Sequence, residues 1–259
     1  MTSMLQVEGL SKTFGGLKAV QDLTFQVAEG ETVGLIGPNG AGKSTAFNLI
    51  SGTLKPSAGT VLLHGRDITG QAPSRVVRHG LARTFQSASV YPGVSVAENI
   101  YRGAVSSLPG SIWTQALPGA GMRAALRRVA REVDAVLELT GLGPYRHAMA
   151  GSLPYGHQKK LGVAIGIATR PKLLLLDEPA AGLNPEECAE FGRLLEALRV
   201  ERGLALLLVE HHMALVMGLC HRIVVLVQGR KIADGTPQCI AADPAVVQAY
   251  LGAPDYAHS

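Results

Sequence analysis

Gly37-Pro38-Asn39-Gly40-Ala41-Gly42-Lys43-Ser44-Thr45 is the stretch that decides the fold. It fits the G-x-x-x-x-G-K-[ST] pattern of a phosphate-binding loop. Glycines let successive backbone N–H groups turn inward and form a concave anion site that side chains would obstruct. Lys43 can then reach the β- and γ-phosphates as a point charge, and Ser44 can offer a hydroxyl to Mg²⁺. Thr45 is read as the start of a helix whose N-terminal dipole faces the same phosphates. The flanks agree: Thr32 to Ile36 reads as a short buried strand and Thr45 to Ile50 as a helix. A glycine-rich turn without function would not need that strand–loop–helix setting. A nucleoside triphosphate site follows.

The chain has 259 residues, 47% of them hydrophobic, enough for one large core and a smaller satellite. A net charge of +4 is modest, and no dense Lys/Arg block argues for nucleic acid. Cys188, Cys220 and Cys239 are too scattered for a disulfide framework or a metal-ligand spacing, which suits a reducing compartment. Met1-Thr2-Ser3-Met4 lacks a basic region followed by an apolar core, so no secretory signal is expected. The longest apolar runs, such as Leu204 to Val209, fall far short of the ~20 residues that span a bilayer. Any membrane role is expected to come through a partner.

Taken in order, Leu5 to Leu10 alternates as a half-buried strand does, and Ser11 to Gly16 is expected to interrupt it. Phe14, beside two glycines, is either a ring lying against a base or an ordinary loop anchor. Leu23 to Val27 and Thr60 to Leu63 read as strands, Gly65-Arg66-Asp67 as a turn, and Ser74 to His79 as a short helix. Leu81 to Gln86 reads as a buried strand whose terminal Gln86 faces either nucleotide or solvent. From Ser87 to Lys160 the character changes: Ser107 to Gly121 is Gly/Pro/Ser-rich and irregular, and Met122 to Leu139 is helical, with arginines opposite its apolar face. An apolar helix then runs to Ala168, and the run Leu173 to Pro179 suits a parallel strand buried on both faces. Asn184-Pro185-Glu186-Glu187 reads as a capped helix start with a capping box. Leu204 to Val209 is another buried strand, Ile223 to Ala233 a hairpin, and Thr236-Pro237 and Asp243-Pro244 open two short helices.

The strand ending in Asp177-Glu178 supplies what the phosphate loop lacks. Asp177 can hold Mg²⁺ through its water shell. Glu178 is placed to polarise a water against the γ-phosphate, which favours hydrolysis over transfer to an acceptor hydroxyl. His211, at the end of a neighbouring strand, can add a hydrogen bond to that phosphate, although a His-His pair by itself is more often surface.

Together these residues resemble the ATP-binding subunits of ABC transporters through nearly the whole chain. Six elements come in the family's order: Phe14, Gly37 to Thr45, Gln86, Leu153-Pro154-Tyr155-Gly156-His157-Gln158, Leu173 to Asn184, and His211. Arg83-Thr84-Phe85-Gln86, Asp177 to Pro185, Val209-Glu210-His211 and the ending Ala249 to Gly252 are similar to ATPases of high-affinity branched-chain amino acid importers. Urea/amide importers and a lipopolysaccharide-export ATPase share much of that likeness.

The resemblance implies an α/β fold: a P-loop NTPase (RecA-like) core with an antiparallel β subdomain and an inserted α-helical subdomain. It makes 1–259 a single ABC ATPase domain, with 1–86 and 161–235 as the nucleotide-binding core, 87–160 as the helical insertion carrying the signature segment, and 236–259 as a C-terminal helical tail. It implies ATP and Mg²⁺ as ligands. Phe14, Gly37 to Thr45, Gln86 and Asp177 would bind nucleotide, with Ser44, Gln86 and Asp177 at the metal. Lys43, Gln86, Glu178 and His211 would serve catalysis. Leu153 to Gln158 would complete the site of a second ATPase subunit, paired head to tail in a homo- or heterodimer, and Ala181-Gly182-Leu183-Asn184 would line the dimer interface. The implied partners are membrane permease subunits and, indirectly, a solute-binding protein, with no nucleic acid. The implied location is the cytoplasmic face of the plasma membrane, held there by the permease.

Four positions depart from the family pattern. Pro154 stands where a serine usually contacts the partner's γ-phosphate, His157 replaces a glutamine, and His212 and Asn184 replace aspartates, Asn184 in common with the branched-chain group. Proline lacks both hydroxyl and N–H, which points to unequal ATP sites, although it fits the first turn of a helix. Two rival classes remain at this level. A soluble ABC ATPase acting on DNA or ribosomes would carry coiled-coil arms or a second cassette; a regulatory subunit that senses nucleotide without turnover would not need Glu178 and His211.

Overall fold

The computed structural model describes residues 3–84, 90–106 and 120–251, with the side chains of 120–122 and 251 excepted. The chain forms two compact units, one from residues 1–83 and 172–259, the other from residues 84–171.

The first unit holds both sheets. β1 (Ser3–Phe14) and β2 (Leu17–Ala28) form a hairpin, and β1 also pairs antiparallel with β4 (Ala58–Leu63), which carries the short β5 (Arg66–Asp67). Two sequence expectations change here. β1 does not break at Ser11; it continues to Phe14, opposite Leu17, because the two-residue turn at Gly15-Gly16 closes the hairpin. Arg66 and Asp67 belong to a short strand, not to the turn, since they pair with Leu63 and Leu62.

The second sheet has the order β10–β9–β3–β8–β7–β6 among the described residues. Its strands are β3 (Thr32–Ile36), β6 (Leu81–Thr84), β7 (Leu173–Asp177), β8 (Ala205–Val209), β9 (Arg222–Val227) and β10 (Arg230–Gly235). β3, β7, β8 and β9 are parallel neighbours, and β10 returns antiparallel on β9. β3 and β8 are buried at every position and β7 at all but Asp177, which is why they read as continuous apolar runs rather than alternating ones. The core between the sheets includes Phe47 of α1 (Lys43–Ile50), Leu35, Leu175 and Leu207. α2 (Pro73–Arg78) precedes β6.

The helical unit begins where β6 ends. Gly80 O accepts from the N–H groups of Lys172 (2.7 Å) and Leu173 (3.1 Å), so the chain leaves and re-enters the core at one neck. Within the unit, α3 (Val96–Ser106), α4 (Ala120–Leu139) and α5 (Tyr155–Ala168) pack on one another. Buried Asn99 fixes the entry to α3: its Oδ1 accepts from Tyr91 N at 2.8 Å and its Nδ2 donates to the Tyr91 and Ser95 carbonyls, both at 3.0 Å. The boundary drawn from the sequence at Lys160 falls inside α5, whereas the break between units comes after Pro171. The expected irregular stretch at 107–119, Gln86 and the tail from Gly252 lie outside the described residues.

Back in the first unit, α6 (Pro185–Arg202) opens on the expected capping box: Asn184 Oδ1 accepts from Glu187 N at 2.9 Å and Glu187 Oε2 from Asn184 N at 3.0 Å. α7 (Met213–Leu219), α8 (Pro237–Ala242) and α9 (Pro244–Leu251) complete the fold. Among the described residues, no helix is long and apolar enough to cross a membrane.

Candidate active site

β3 ends at Ile36 and the chain turns through Gly37-to-Gly42 into α1, which begins at Lys43, two residues earlier than the sequence suggests. Two glycines make the turn possible. Gly37 has φ +152° and Gly42 φ +100°, and a Cβ would lie 2.0 Å from Leu226 O at the first and 2.4 Å from Ala19 O at the second. Neighbouring backbone presses the loop from behind, so a side chain has no room. Gly42 is the N-cap of α1 and no side chain caps the helix, leaving its first N–H groups open to an anion.

The loop lines a cleft of about 790 Å³ whose other walls include Phe14, Lys18, Glu178 and Gln228. Lys43 Nζ lies folded back along the loop, donating to Gly37 O (2.6 Å) and Pro38 O (3.0 Å). Burial lowers its pKa below the ordinary lysine value, and the charge of Glu178 opposes that shift. A cation held half-buried in an N–H-lined cleft is a ready partner for phosphate oxygens. Phe14 is 46% exposed, with Lys12 Nζ 5.1 Å from its ring centroid. The reading of Phe14 as an exposed ring is compatible with this, since it stands at the strand end rather than in the core.

β7 delivers Asp177 and Glu178 at its tip. Asp177 is not an open carboxylate: Arg83 of β6 reaches its Oδ2 at 2.7 Å, and both side chains are largely buried, at 8% and 13% exposed. The same guanidinium donates to Asn48 Oδ1 (2.7 Å) and Ser51 Oγ (3.0 Å) of α1 and its C-cap, fastening the strand tip to the helix behind the phosphate loop. The sequence reading missed this role of Arg83. Glu178 extends the sheet by one bond, donating its N–H to Val209 O at 2.9 Å, then turns at φ +47°. A left-handed glutamate is strained; the turn brings its side chain to the cleft wall. His211 Nδ1 stands 4.0 Å from Glu178 Oε1.

The loop after Glu178 folds tightly. Ala181 N donates to Glu178 O (3.2 Å), Leu183 N to Ala180 O (3.1 Å), and Gly182 has φ +81° before Asn184 caps α6. Glu210, which sequence reasoning quoted without a task, holds this loop. It is 1% exposed; its Oε1 accepts from Ala180 N at 2.7 Å and its Oε2 from the N–H groups of His211 (3.0 Å) and His212 (3.2 Å). One carboxylate therefore fixes both the loop before Asn184 and the backbone of His211. Its charge also reinforces the burial that pushes the Cys220 thiol up to about 12 and raises that of Cys188. Glu210→Gln keeps the shape but turns an amide donor toward an N–H. It should cost about 1–3 kcal/mol in denaturant unfolding and lower ATP turnover; unchanged values for both would strip the clamp of its weight.

The Leu153-to-Gln158 segment belongs to the helical unit. Leu153 is buried, Pro154 is the N-cap of α5 rather than a first-turn residue, and Tyr155 is exposed. Gln158 Nε2 donates back to Leu153 O at 2.9 Å, and the His157 ring meets Tyr145 edge-on at 4.6 Å. No side chain caps this helix N-terminus. As for a metal, Ser44 in the first turn of α1 and Asp177 at the tip of β7 are hard oxygen donors of the kind Mg²⁺ takes, few enough to leave it several waters, and so they fit that ion.

Residues 20–181 match the family described as "ABC transporter", and residues 230–256 match "Branched-chain amino acid ATP-binding cassette transporter". The chain is 40% identical to the "High-affinity branched-chain amino acid transport ATP-binding protein LivG" of Escherichia coli (strain K12), over 96% of this chain and 98% of the relative. It is 41% identical to the corresponding protein BraF of Pseudomonas aeruginosa, with the same coverage of both chains. Among solved structures, the ADP conformation of MJ1267, an ATP-binding cassette of an ABC transporter, superposes with a TM-score of 0.83. It is 29% identical, covering 97% of this chain and all of that one.

Proposed function

The chain belongs to the ATP-binding subunits of the ABC transporter family, and on that premise we propose that it powers import of branched-chain amino acids, or of related amino acids or amides, through a membrane permease. It is an ATPase subunit; the cargo is what the proposal adds. The likeness to LivG and BraF and the match at residues 230–256 support that cargo.

The observation that carries the mechanism is one cleft in which the phosphate loop and Glu178 face the same space. The loop's N–H groups and Lys43 bind the phosphates, and exposed Phe14 receives the base. Ser44 and Asp177 are the residues that would hold Mg²⁺, Asp177 through water because Arg83 occupies one of its oxygens. When bound, the metal neutralises charge on the β- and γ-phosphates. Glu178 takes the proton of, or orients, the attacking water, and His211 steadies the γ-phosphate from beside it. Gln86 is assigned to sense that phosphate.

The remaining parts come from a second ATPase subunit arranged head to tail. The Leu153–Gln158 segment of each would close the other's cleft, with Ala181 to Asn184 along the seam. ATP then favours the closed pair by its differential affinity, and hydrolysis releases it. A permease would hold the pair at the inner face of the membrane, and a solute-binding protein would supply cargo to the permease.

Capture of the tagged chain from detergent-solubilised membranes tests this assembly: permease subunits and a second ATPase subunit are expected, whereas ribosomes or DNA without a permease contradict it. In a heterodimer whose second subunit keeps the serine, Pro154 makes the two ATP sites unequal. A serine at this uncapped N-terminus would supply both a helix cap and the missing hydroxyl. Pro154→Ser should therefore raise ATPase activity of the assembled transporter by roughly tenfold, the worth of one hydrogen bond to a charged group. An unchanged rate would sink the unequal-site reading.

A further inference from the structure

α4 is charged against its own dipole. Along it come first Arg123, Arg127, Arg128 and Arg131, all exposed, and then Glu132, Asp134 and Glu138. There is no acidic residue in its first turn and no basic one in its last. Helices favour the reverse order, and like charges three or four residues apart repel one another.

Two of the three acids are answered inside the fold, and exposed Glu138 lies about two turns beyond Arg131, clear of the arginine cluster. Glu132 pairs with Arg170, and Asp134 with Arg146 at 2.5 Å. The four arginines have no such answer: no ion pair or hydrogen bond joins them to a described carboxylate. At about 100° per residue they fall within about 140° of arc, and at ~1.5 Å rise they span roughly 12 Å. Ala124 and Ala130 share this exposed face, so no bulky group holds a flat partner away. Leu126, 41% exposed, stands at its edge. Opposite lie buried Val129, Val133 and Val136, which fix the helix to its unit and leave the arginine face outward.

We infer that this face of α4 is a docking surface for anionic lipid headgroups of the membrane. A flat sheet of phosphates answers guanidinium groups bidentately and relieves their mutual repulsion. The cytoplasmic loops of a permease are the poorer candidate, since they carry an excess of Lys and Arg themselves. Leu126 enters the boundary between headgroups and acyl chains. The inference rests on the membrane-side reading above, and adds to it a direct contact between this chain and lipid that the permease does not mediate.

The test uses the full chain and vesicles, without permease. Wild-type protein should sediment with vesicles of phosphatidylglycerol and phosphatidylcholine, much less with phosphatidylcholine alone, and should be released at ~1 M salt, where the Debye length is about 3 Å. At about fivefold per charge, the quadruple variant R123Q/R127Q/R128Q/R131Q should bind the anionic vesicles at least about a hundredfold more weakly. It should keep wild-type helicity and basal ATPase activity. A control removing the same charge elsewhere, R66Q/R75Q/R78Q/R193Q, should bind within a few fold of wild type. Equal binding to both vesicle types, an unaffected quadruple variant, or an equal loss in the control would overturn the inference. So would binding to soluble polyglutamate in preference to vesicles. Each of these leaves the ATPase reading standing, because nucleotide turnover is measured on the same protein in solution.

Discussion

Glu178→Gln is expected to retain ATP binding within about twofold while turnover falls by about 10²–10⁴, the range that general-base groups contribute. The substitution keeps the length of the side chain and the bond from residue 178 N–H to Val209 O, and adds no bulk at φ +47°. It removes only the ability to accept a proton at the cleft wall. Loss of the negative charge takes some support from protonated Lys43, but it also removes a like charge from the cleft wall that faces the phosphates, so the two effects on phosphate affinity oppose each other. Equilibrium nucleotide binding and steady-state phosphate release on the same preparation separate the two effects. Wild-type turnover in the variant would remove Glu178 from its assigned role.

Arg83→Ala is expected to be the most destabilising of the substitutions considered. It strips a largely buried carboxylate of its guanidinium and removes one donor each from Asn48 Oδ1 and Ser51 Oγ. Breaking a buried pair from one side costs about 3–5 kcal/mol, which for a chain of this size lowers the melting temperature by on the order of 10 °C. Arg83→Lys should recover only part of this, because a single ammonium cannot reach three acceptors in a fork. The double variant Arg83→Ala/Asp177→Asn should be more stable than the sum of the two single effects. Additive losses would show that the 2.7 Å contact carries no coupling.

The parts legible in the sequence are those whose cause is local. β3 runs from Thr32 to Ile36 as its apolar run suggests, and β7 starts at Leu173 as expected but ends at Asp177, short of Pro179, because the chain turns at Glu178. A central parallel strand needs nothing but apolar side chains between two turns. The Asn184 capping box involves residues three apart and could be read directly. α3 went unread, although Ser95 Oγ accepts from Glu98 N at 3.1 Å and Val96, Ile100 and Ala104 recur at helical spacing. Pro92 and Gly93, just before it, are turn formers and carry no helix-start signal of their own. α7 is seven residues long and nearly all apolar, so no periodicity marks it.

Non-local contacts are another matter. The Arg83–Asp177 pair joins residues 94 apart and the Glu210–Ala180 bond residues 30 apart. Neither has a spacing to recognise; each arises because neighbouring strands set their tips side by side. Arg83 holds Asp177 in place, and Glu210 holds the loop after Glu178 and, through its other oxygen, the backbone of His211.

Uptake of radiolabelled leucine is the most direct measurement of the whole account. In cells that carry this chain natively, the chromosomal copy would be replaced by Glu178→Gln, with protein level and membrane association confirmed to be those of wild type. Saturable high-affinity uptake at low leucine concentration is expected to disappear and to return when the wild-type chain is supplied in trans. Leucine uptake undiminished in the variant, with no other branched-chain amino acid or amide affected, would contradict it.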